Sequence, residues 1–188
     1  MFFLIFNLIL FSIIVFLLIL LSWFWPPDSP WTPWWRTNKK VARAMCLLAK
    51  INKKDVIYDL GSGTGTALIV AACEFGANGV GIEIDPLRYL FSKTRVKING
   101  LNRKIKIIKK NFYDVNISKA SVVFVYLVPR VLEKLKPKLL KELKPGTRIV
   151  TFVYQIDLPV IAKDLENEVY VYEVPKKPAT KVIIQVHT

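Results

Sequence analysis

The run Asp59-Leu60-Gly61-Ser62-Gly63-Thr64-Gly65 limits what this chain can fold into more than any other stretch. The apolar segment Val56-Ile57-Tyr58 leads into it, and a helix-like segment from Ala67 to Phe75 follows. Alternating glycines let the backbone turn sharply and approach a ligand closely, and the next helix offers unpaired N–H groups at its first turn. Downstream, Glu83 ends Val80-Gly81-Ile82-Glu83, placed to accept hydrogen bonds from both hydroxyls of a ribose. This is a site for an adenosine cofactor. A dinucleotide fingerprint reads G-x-G-x-x-G and sets a pyrophosphate on the helix N-terminus, whereas Thr66 stands here at the position of the last glycine. NAD is therefore disfavoured.

Apolar periodicity organises the rest into alternating strands and helices. Thr37 or Asn38 caps a helix with Val41, Met45 and Leu48 on its apolar face. Val56-Ile57-Tyr58 is a buried strand, Ala67 to Phe75 a crossover helix closed by Gly76, and Val80 to Ile84 the second strand. Asp85 caps a helix with Pro86 in its first turn and Gly100 beyond its end. Strands are predicted over Ile105 to Ile108, Val122 to Tyr126 and Arg148 to Val153, with a helix from Val131 to Leu143 that Pro137 should break or kink. Val169 to Val174 and Lys181 to Val186, separated by Pro175-Lys176-Lys177-Pro178, read as a closing antiparallel hairpin.

Residues Met1 to Trp25 carry no charge and are almost wholly Leu, Ile, Phe and Val. At about 1.5 Å per residue such a helix spans the roughly 30 Å hydrocarbon core of a bilayer. A cleaved signal would need a basic n-region and a small-residue cleavage site, and neither is present. Residues 1–25 thus read as a transmembrane anchor, 26–36 as a Pro/Trp-rich linker, and 37–188 as the folded domain. Trp23, Trp25, Trp31, Trp34 and Trp35 suit the headgroup region. Arg36, Lys39, Lys40 and Arg43 follow the span with no basic residue before it, which puts the domain on the cytoplasmic side.

The net charge of +14 belongs wholly to the part beyond the anchor and favours anionic partners, lipid first and RNA second. Cys46 and Cys73 lack a C-x-x-C spacing and read as small core residues of a reducing compartment, and the sole histidine, His187, has no metal-ligand set beside it. No metal is expected.

The D-x-G-x-G-x-G run resembles motif I of class I S-adenosylmethionine methyltransferases. That resemblance implies a seven-stranded, Rossmann-like α/β methyltransferase fold, a mostly parallel sheet closed by a C-terminal antiparallel hairpin. It also implies that Asp59 faces the amino acid end of S-adenosylmethionine, that Gly61, Ser62, Gly63, Thr64 and Gly65 shape the cofactor loop, and that Glu83 and Ile84 flank the ribose. Asn111 and Phe112 occupy the place where the superfamily receives the adenine amino group, with Asp114 as fallback.

The segments Tyr126-Leu127-Val128-Pro129, Lys134-Leu135-Lys136-Pro137 and Leu143-Lys144-Pro145-Gly146-Thr147-Arg148-Ile149-Val150 narrow the likeness. They look like the membrane-anchored lysine methyltransferases that act on the ATP synthase c-ring protein and the adenine nucleotide translocase, with their prokaryotic relatives. Pro33-Trp34-Trp35-Arg36-Thr37 is similar to their pre-core stretch, which implies that the Thr37 hydroxyl lies near the cofactor. The chain departs from them at Thr151-Phe152-Val153, where the relatives carry Ser-His before a Phe. An Asn-Pro-Pro-aromatic motif is absent, which disfavours base amines and glutamine as acceptors.

Tyr126 and Pro129 are expected to line the acceptor side, with Trp34 and Trp35 either walling the same channel or anchoring at the interface. The expected function is protein-lysine N-methylation on a membrane-associated substrate. Its rivals are methylation of RNA or of a lipid-like small molecule, and a cofactor-binding scaffold without catalysis.

Overall fold

Each apolar run folds as an element whose register aims a loop at one edge of a single sheet. The computed structural model describes residues 2–24 and 37–175. In chain order these form α1 (Phe2–Phe24), α2 (Lys39–Leu48), β1 (Val56–Leu60), α3 (Thr66–Glu74), β2 (Asn78–Glu83), α4 (Pro86–Ile98) and β3 (Ile105–Lys109). A 3-10 turn at Phe112–Asp114 leads to β4 (Val122–Val125), α5 (Pro129–Glu142), β5 (Arg148–Phe152), β6 (Val160–Asp164) and β7 (Val169–Glu173).

The sheet has seven strands in the order β3-β2-β1-β4-β5-β7-β6. The first five are parallel, and β7 runs antiparallel between β5 and β6. This is the mostly parallel sheet with a closing hairpin that the resemblance implied. Strand order reverses beside β1, with β2 and β4 on its two sides, and in open α/β sheets the crevice at that switch point is where ligands sit. Successive residues of β1 serve opposite faces: Ile57 packs with α2 and α3, while Tyr58 and Leu60 pack with α5.

Four local expectations are corrected. The hairpin partner of β7 is Val160–Asp164, whereas Lys181 to Val186 lie outside the described residues. Strand β6 has no buried residue, so it shows no apolar face for a pattern to reveal. The crossover from β3 to β4 carries no α-helix, because Asn111 and Asn116 accept the backbone N–H groups of Tyr113 and Ser118 and hold local turns instead. Helix α5 runs through Pro137 unbroken. Proline costs a helix interior about 3 kcal/mol; burying Leu132, Leu135 and Leu139 along one face contributes about 1.5–3 kcal/mol each and outweighs it. Cys46 is buried as expected, but Cys73 is exposed in the last turn of α3, where the helix leaves the sheet.

Helix α1 is, among the described residues, long and apolar enough to cross a membrane. Two of its polar side chains are satisfied within the helix: Asn7 Nδ2 donates to the Phe3 carbonyl at 2.7 Å and Ser12 Oγ to the Leu8 carbonyl at 2.8 Å. The linker tryptophans Trp25, Trp31, Trp34 and Trp35, with Arg36, lie outside the described residues, as does His187.

Candidate functional site

Strand β1 delivers Asp59 and Leu60 to the carboxyl edge of the sheet, and the chain then turns through Gly61, Gly63 and Gly65 at φ of +82°, +52° and +71°. Side chains rarely adopt this left-handed region, which is why glycine occupies all three positions. Backbone N–H groups of Gly61 and Ser62 both donate to the Ile82 carbonyl, at 2.9 and 3.0 Å, fastening the loop to β2. Gly81 permits this approach. A Cβ there would meet Ile107 Cδ1 and Ser62 Oγ at 2.8 Å and Leu68 Cδ1 at 3.0 Å.

Glu83 ends β2 and is buried. Its Oε2 accepts the Gly63 N–H at 2.7 Å and its Oε1 accepts the Asp85 N–H at 3.0 Å. The carboxylate thus has backbone partners before any ligand arrives, and each oxygen keeps a second lone pair. Burial raises its pKa, and the two backbone donors oppose that rise. Asp85 caps α4 by accepting the Arg88 N–H at 2.8 Å, with Pro86 in the first turn as the sequence predicted.

Asp59 is buried with no hydrogen bond to its carboxylate among the described residues. Burial first, and the neighbouring Glu83 charge second, push it up to about 7. The Ser62 hydroxyl is buried and unpartnered as well. Thr64 is buried, its hydroxyl 3.1 Å from that of Thr66. Two buried acids with spare acceptor capacity and one orphaned hydroxyl, at the edge where three glycines expose backbone, fit a ligand carrying an ammonium at one end and vicinal hydroxyls near its middle.

Other expected residues are placed less centrally. Ile84 is half-buried beside Glu83. Asn111 is exposed past β3, its Oδ1 already accepting the Tyr113 N–H at 3.0 Å. Phe112 is half-buried, its ring 4.6 Å from that of Tyr113, and Asp114 is exposed. Thr37 precedes α2 but does not cap it; Asn38 does, accepting the Val41 N–H at 2.9 Å.

On the acceptor side, Tyr126 follows β4 with its ring 4.5 Å from that of Phe152 at 57°. Burial, then the nearby Tyr154 and Glu168, raise its phenol pKa. Pro129 is exposed and opens α5 at the first helical position, a structural duty that the sequence left open.

Three features escaped the sequence. Arg95 on α4 reaches back so that Nη1 donates to the Thr64 carbonyl at 2.7 Å and to Thr66 Oγ1 at 3.0 Å, pinning the loop. Thr151 is fully buried in β5 with its hydroxyl unpartnered among the described residues. Val153 takes φ of +65°, strained for a β-branched residue, held by its N–H on the Glu168 carbonyl at 2.8 Å and by the Tyr154 N–H on the Phe152 carbonyl at 2.8 Å. None has a local signature, since each depends on long-range pairing.

The family model described as the ANTKMT methyltransferase domain matches residues 59–159. A protein-lysine N-methyltransferase of Saccharolobus islandicus is 43% identical over 131 residues, 69% of this chain and 80% of that one. A lysine N-methyltransferase of Caenorhabditis elegans, named for the ATP synthase c-ring protein, is 27% identical over 124 residues, 66% of this chain and 64% of its own. For the vertebrate proteins of the same name the match spans about half their length. Among solved structures, one described as an RNA methyltransferase from Salinibacter ruber with S-adenosyl-L-homocysteine superposes with a TM-score of 0.74 at 36% identity, covering 78% of this chain and 97% of that one.

Proposed function

Because this chain belongs to the ANTKMT methyltransferase family and takes S-adenosylmethionine as its cofactor, we propose that it methylates a lysine side chain of a protein held at a membrane. The single observation that carries the lysine reading is the 43% identity to a protein-lysine N-methyltransferase across most of that relative's length. Helix α1, long and apolar enough to cross a bilayer, supports the membrane reading, and the basic residues Arg36, Lys39, Lys40 and Arg43 after it favour the domain on the cytoplasmic side.

In this reading the ionised Asp59 holds the ammonium of the cofactor, and the free lone pairs of Glu83 take the ribose hydroxyls. The loop from Gly61 to Gly65 supplies backbone contacts, with Ser62 and Thr64 among them, and Ile84, Asn111 and Phe112 border the adenosine. Thr37 closes the site from the head of α2. When bound, the cofactor supplies a methyl already activated on a sulfonium, so the protein's task is positioning rather than acid–base work. A lysine acceptor must arrive as the neutral amine. Desolvation lowers a lysine pKa by up to about 3–5 units, and the half-buried Tyr126 against Phe152 offers an apolar wall where that loss of water takes place. The faces of these rings also attract the methylated ammonium product. Pro129 acts indirectly, by starting α5 directly after the Tyr126 segment.

A second reading rests on the Salinibacter structure described as an RNA methyltransferase and on the net charge of +14. One experiment separates the two. The purified full chain is incubated with radiolabelled S-adenosylmethionine and membranes from cells lacking it, in parallel with Asp59→Ala, and label is resolved into protein, RNA and lipid. Label in protein that hydrolyses to methyl-lysine and vanishes with Asp59→Ala is the expected result. Label in RNA or lipid instead would replace the lysine reading.

A further inference from the structure

Helix α4 is built inside out. Its buried positions are Arg88, Ser92 and Val96, while Leu87, Leu90, Phe91 and Ile98 are 41%, 59%, 42% and 79% exposed. At helical spacing these four apolar residues share one outward stripe, and the exposed Lys93 and Lys97 run along its flank. An ordinary surface helix of an α/β domain has the opposite polarity.

The charge around this stripe is equally one-sided. From Pro86 to Tyr113 the chain has nine basic residues and no acidic one. Strand β3, the edge of the sheet beside α4, adds the exposed Lys109 on the face where Ile105 and Ile107 pack with Val96 of α4, while Lys106 alternates to the other face. An apolar stripe bordered by lysines is the pattern of a helix that lies in a bilayer interface, with its apolar side chains below the headgroups and its cations among anionic phosphates.

We propose that the outer face of α4, with Lys109 of β3, docks on an anionic membrane surface. The inference rests on the reading of α1 as a membrane anchor. Two further observations favour lipid as the occupant. Every charge carried by α4 and β3 is positive, and the twelve residues between Phe24 and Thr37 form a tether reaching no more than about 45 Å. Docking holds the domain in one orientation, because Asp85 caps α4 directly beside Glu83. The cofactor edge of the sheet is then held at a fixed distance from the membrane rather than at the end of a free tether.

The test uses the full chain in nanodiscs of phosphatidylcholine, alone or mixed with phosphatidylglycerol. Spin labels are placed one at a time by Leu90→Cys, Phe11→Cys and Lys141→Cys in a Cys73→Ser background, and depth is read from accessibility to oxygen against a nickel chelate. The expected result is a Leu90 label that enters the apolar layer only with phosphatidylglycerol, a Phe11 label inside the bilayer in both lipids, and a Lys141 label on α5 that stays aqueous. Lys93→Gln, Lys97→Gln and Lys109→Gln should each weaken the docked state about fivefold. A Leu90 label that is aqueous in both lipids, with Phe11 inside the bilayer, overturns the docking and leaves the anchor standing. An aqueous Phe11 label overturns the anchor and the docking together. Equal depth of Leu90 in both lipids, or its immobilisation by added RNA alone, overturns the assignment to anionic lipid.

Discussion

Glu83 Oε2 accepts the Gly63 N–H at 2.7 Å across twenty residues of chain, while Oε1 of the same carboxylate accepts the Asp85 N–H at 3.0 Å. One buried acid therefore joins the glycine loop to the head of α4. Glu83→Gln keeps one acceptor but turns an N–H group toward the other backbone donor. Affinity for S-adenosylhomocysteine should fall about 10- to 100-fold, as expected for losing a hydrogen bond to a charged group. Titration calorimetry checks this, and the ligand-free Tm of the variant should drop as well.

Asp59 carries a pH dependence of unusual sign. Burial and Glu83 raise it to about 7, against about 3.9 in an unfolded chain. Between about pH 4 and 7 the unfolded chain releases this proton first, so stability falls as pH rises through that window and levels off above it. Asp59→Asn should be more stable than the wild type at pH 8 without ligand, with the difference closing near pH 4, as thermal melts would show.

The same acid makes cofactor binding depend on pH. Holding an ammonium requires the ionised carboxylate, so affinity for S-adenosylhomocysteine should weaken below pH 7, by up to about tenfold per pH unit. In Asp59→Asn the affinity should be low and flat with pH. Calorimetry in buffers of different ionisation enthalpy would detect the proton released on binding to the wild type.

Gly81→Ala tests the packing under the loop. The added methyl would sit 2.8 Å from both Ile107 Cδ1 and Ser62 Oγ, and 3.0 Å from Leu68 Cδ1. Overpacking of this kind costs about 1–3 kcal/mol, read as a lower midpoint in urea. Cofactor affinity should drop with it, because Ser62 is one of the atoms displaced.

Asp55 and Arg148 anchor the opposite edge of the sheet. Arg148 Nη2 donates to Asp55 Oδ1, which also accepts from Ser121 Oγ at 2.7 Å, and Asp55 Oδ2 accepts from the Asn52 N–H at 2.9 Å. Asp55→Ala leaves a half-buried guanidinium without its counter-ion and should cost about 3–5 kcal/mol. Far from the glycine loop, it should leave kcat close to that of the wild type below the melting range.

Much of this architecture was readable from local signals. Asp85, Pro86 and Gly100 punctuate α4 as their chemistry demands, and the buried run Val122-Val123-Phe124-Val125 could only be a covered strand. The burial of Asp59 and Glu83 was readable for the same reason, since each stands at the end of an apolar strand, one just before the glycine loop and the other on the next strand. The misses share a cause. Strand β6 has no buried face and exists because β7 offers it hydrogen bonds. Helix α5 survives Pro137 because the sheet buries its leucines. The strained Val153 and the reach of Arg95 to Thr64 are tertiary facts with no short-range trace.

Among the described residues, both borders of the sheet are closed to further growth. At one end β3 presents unpaired backbone groups, yet Lys106, Lys109 and Lys110 would meet their own likes if two such borders approached. At the other, the register of β6 slips between Val160 and Ala162, bending the strand away from any regular partner. Among the described residues a second copy of this sheet meets a disfavoured border at either side, which opposes strand-by-strand polymerisation at high local concentration.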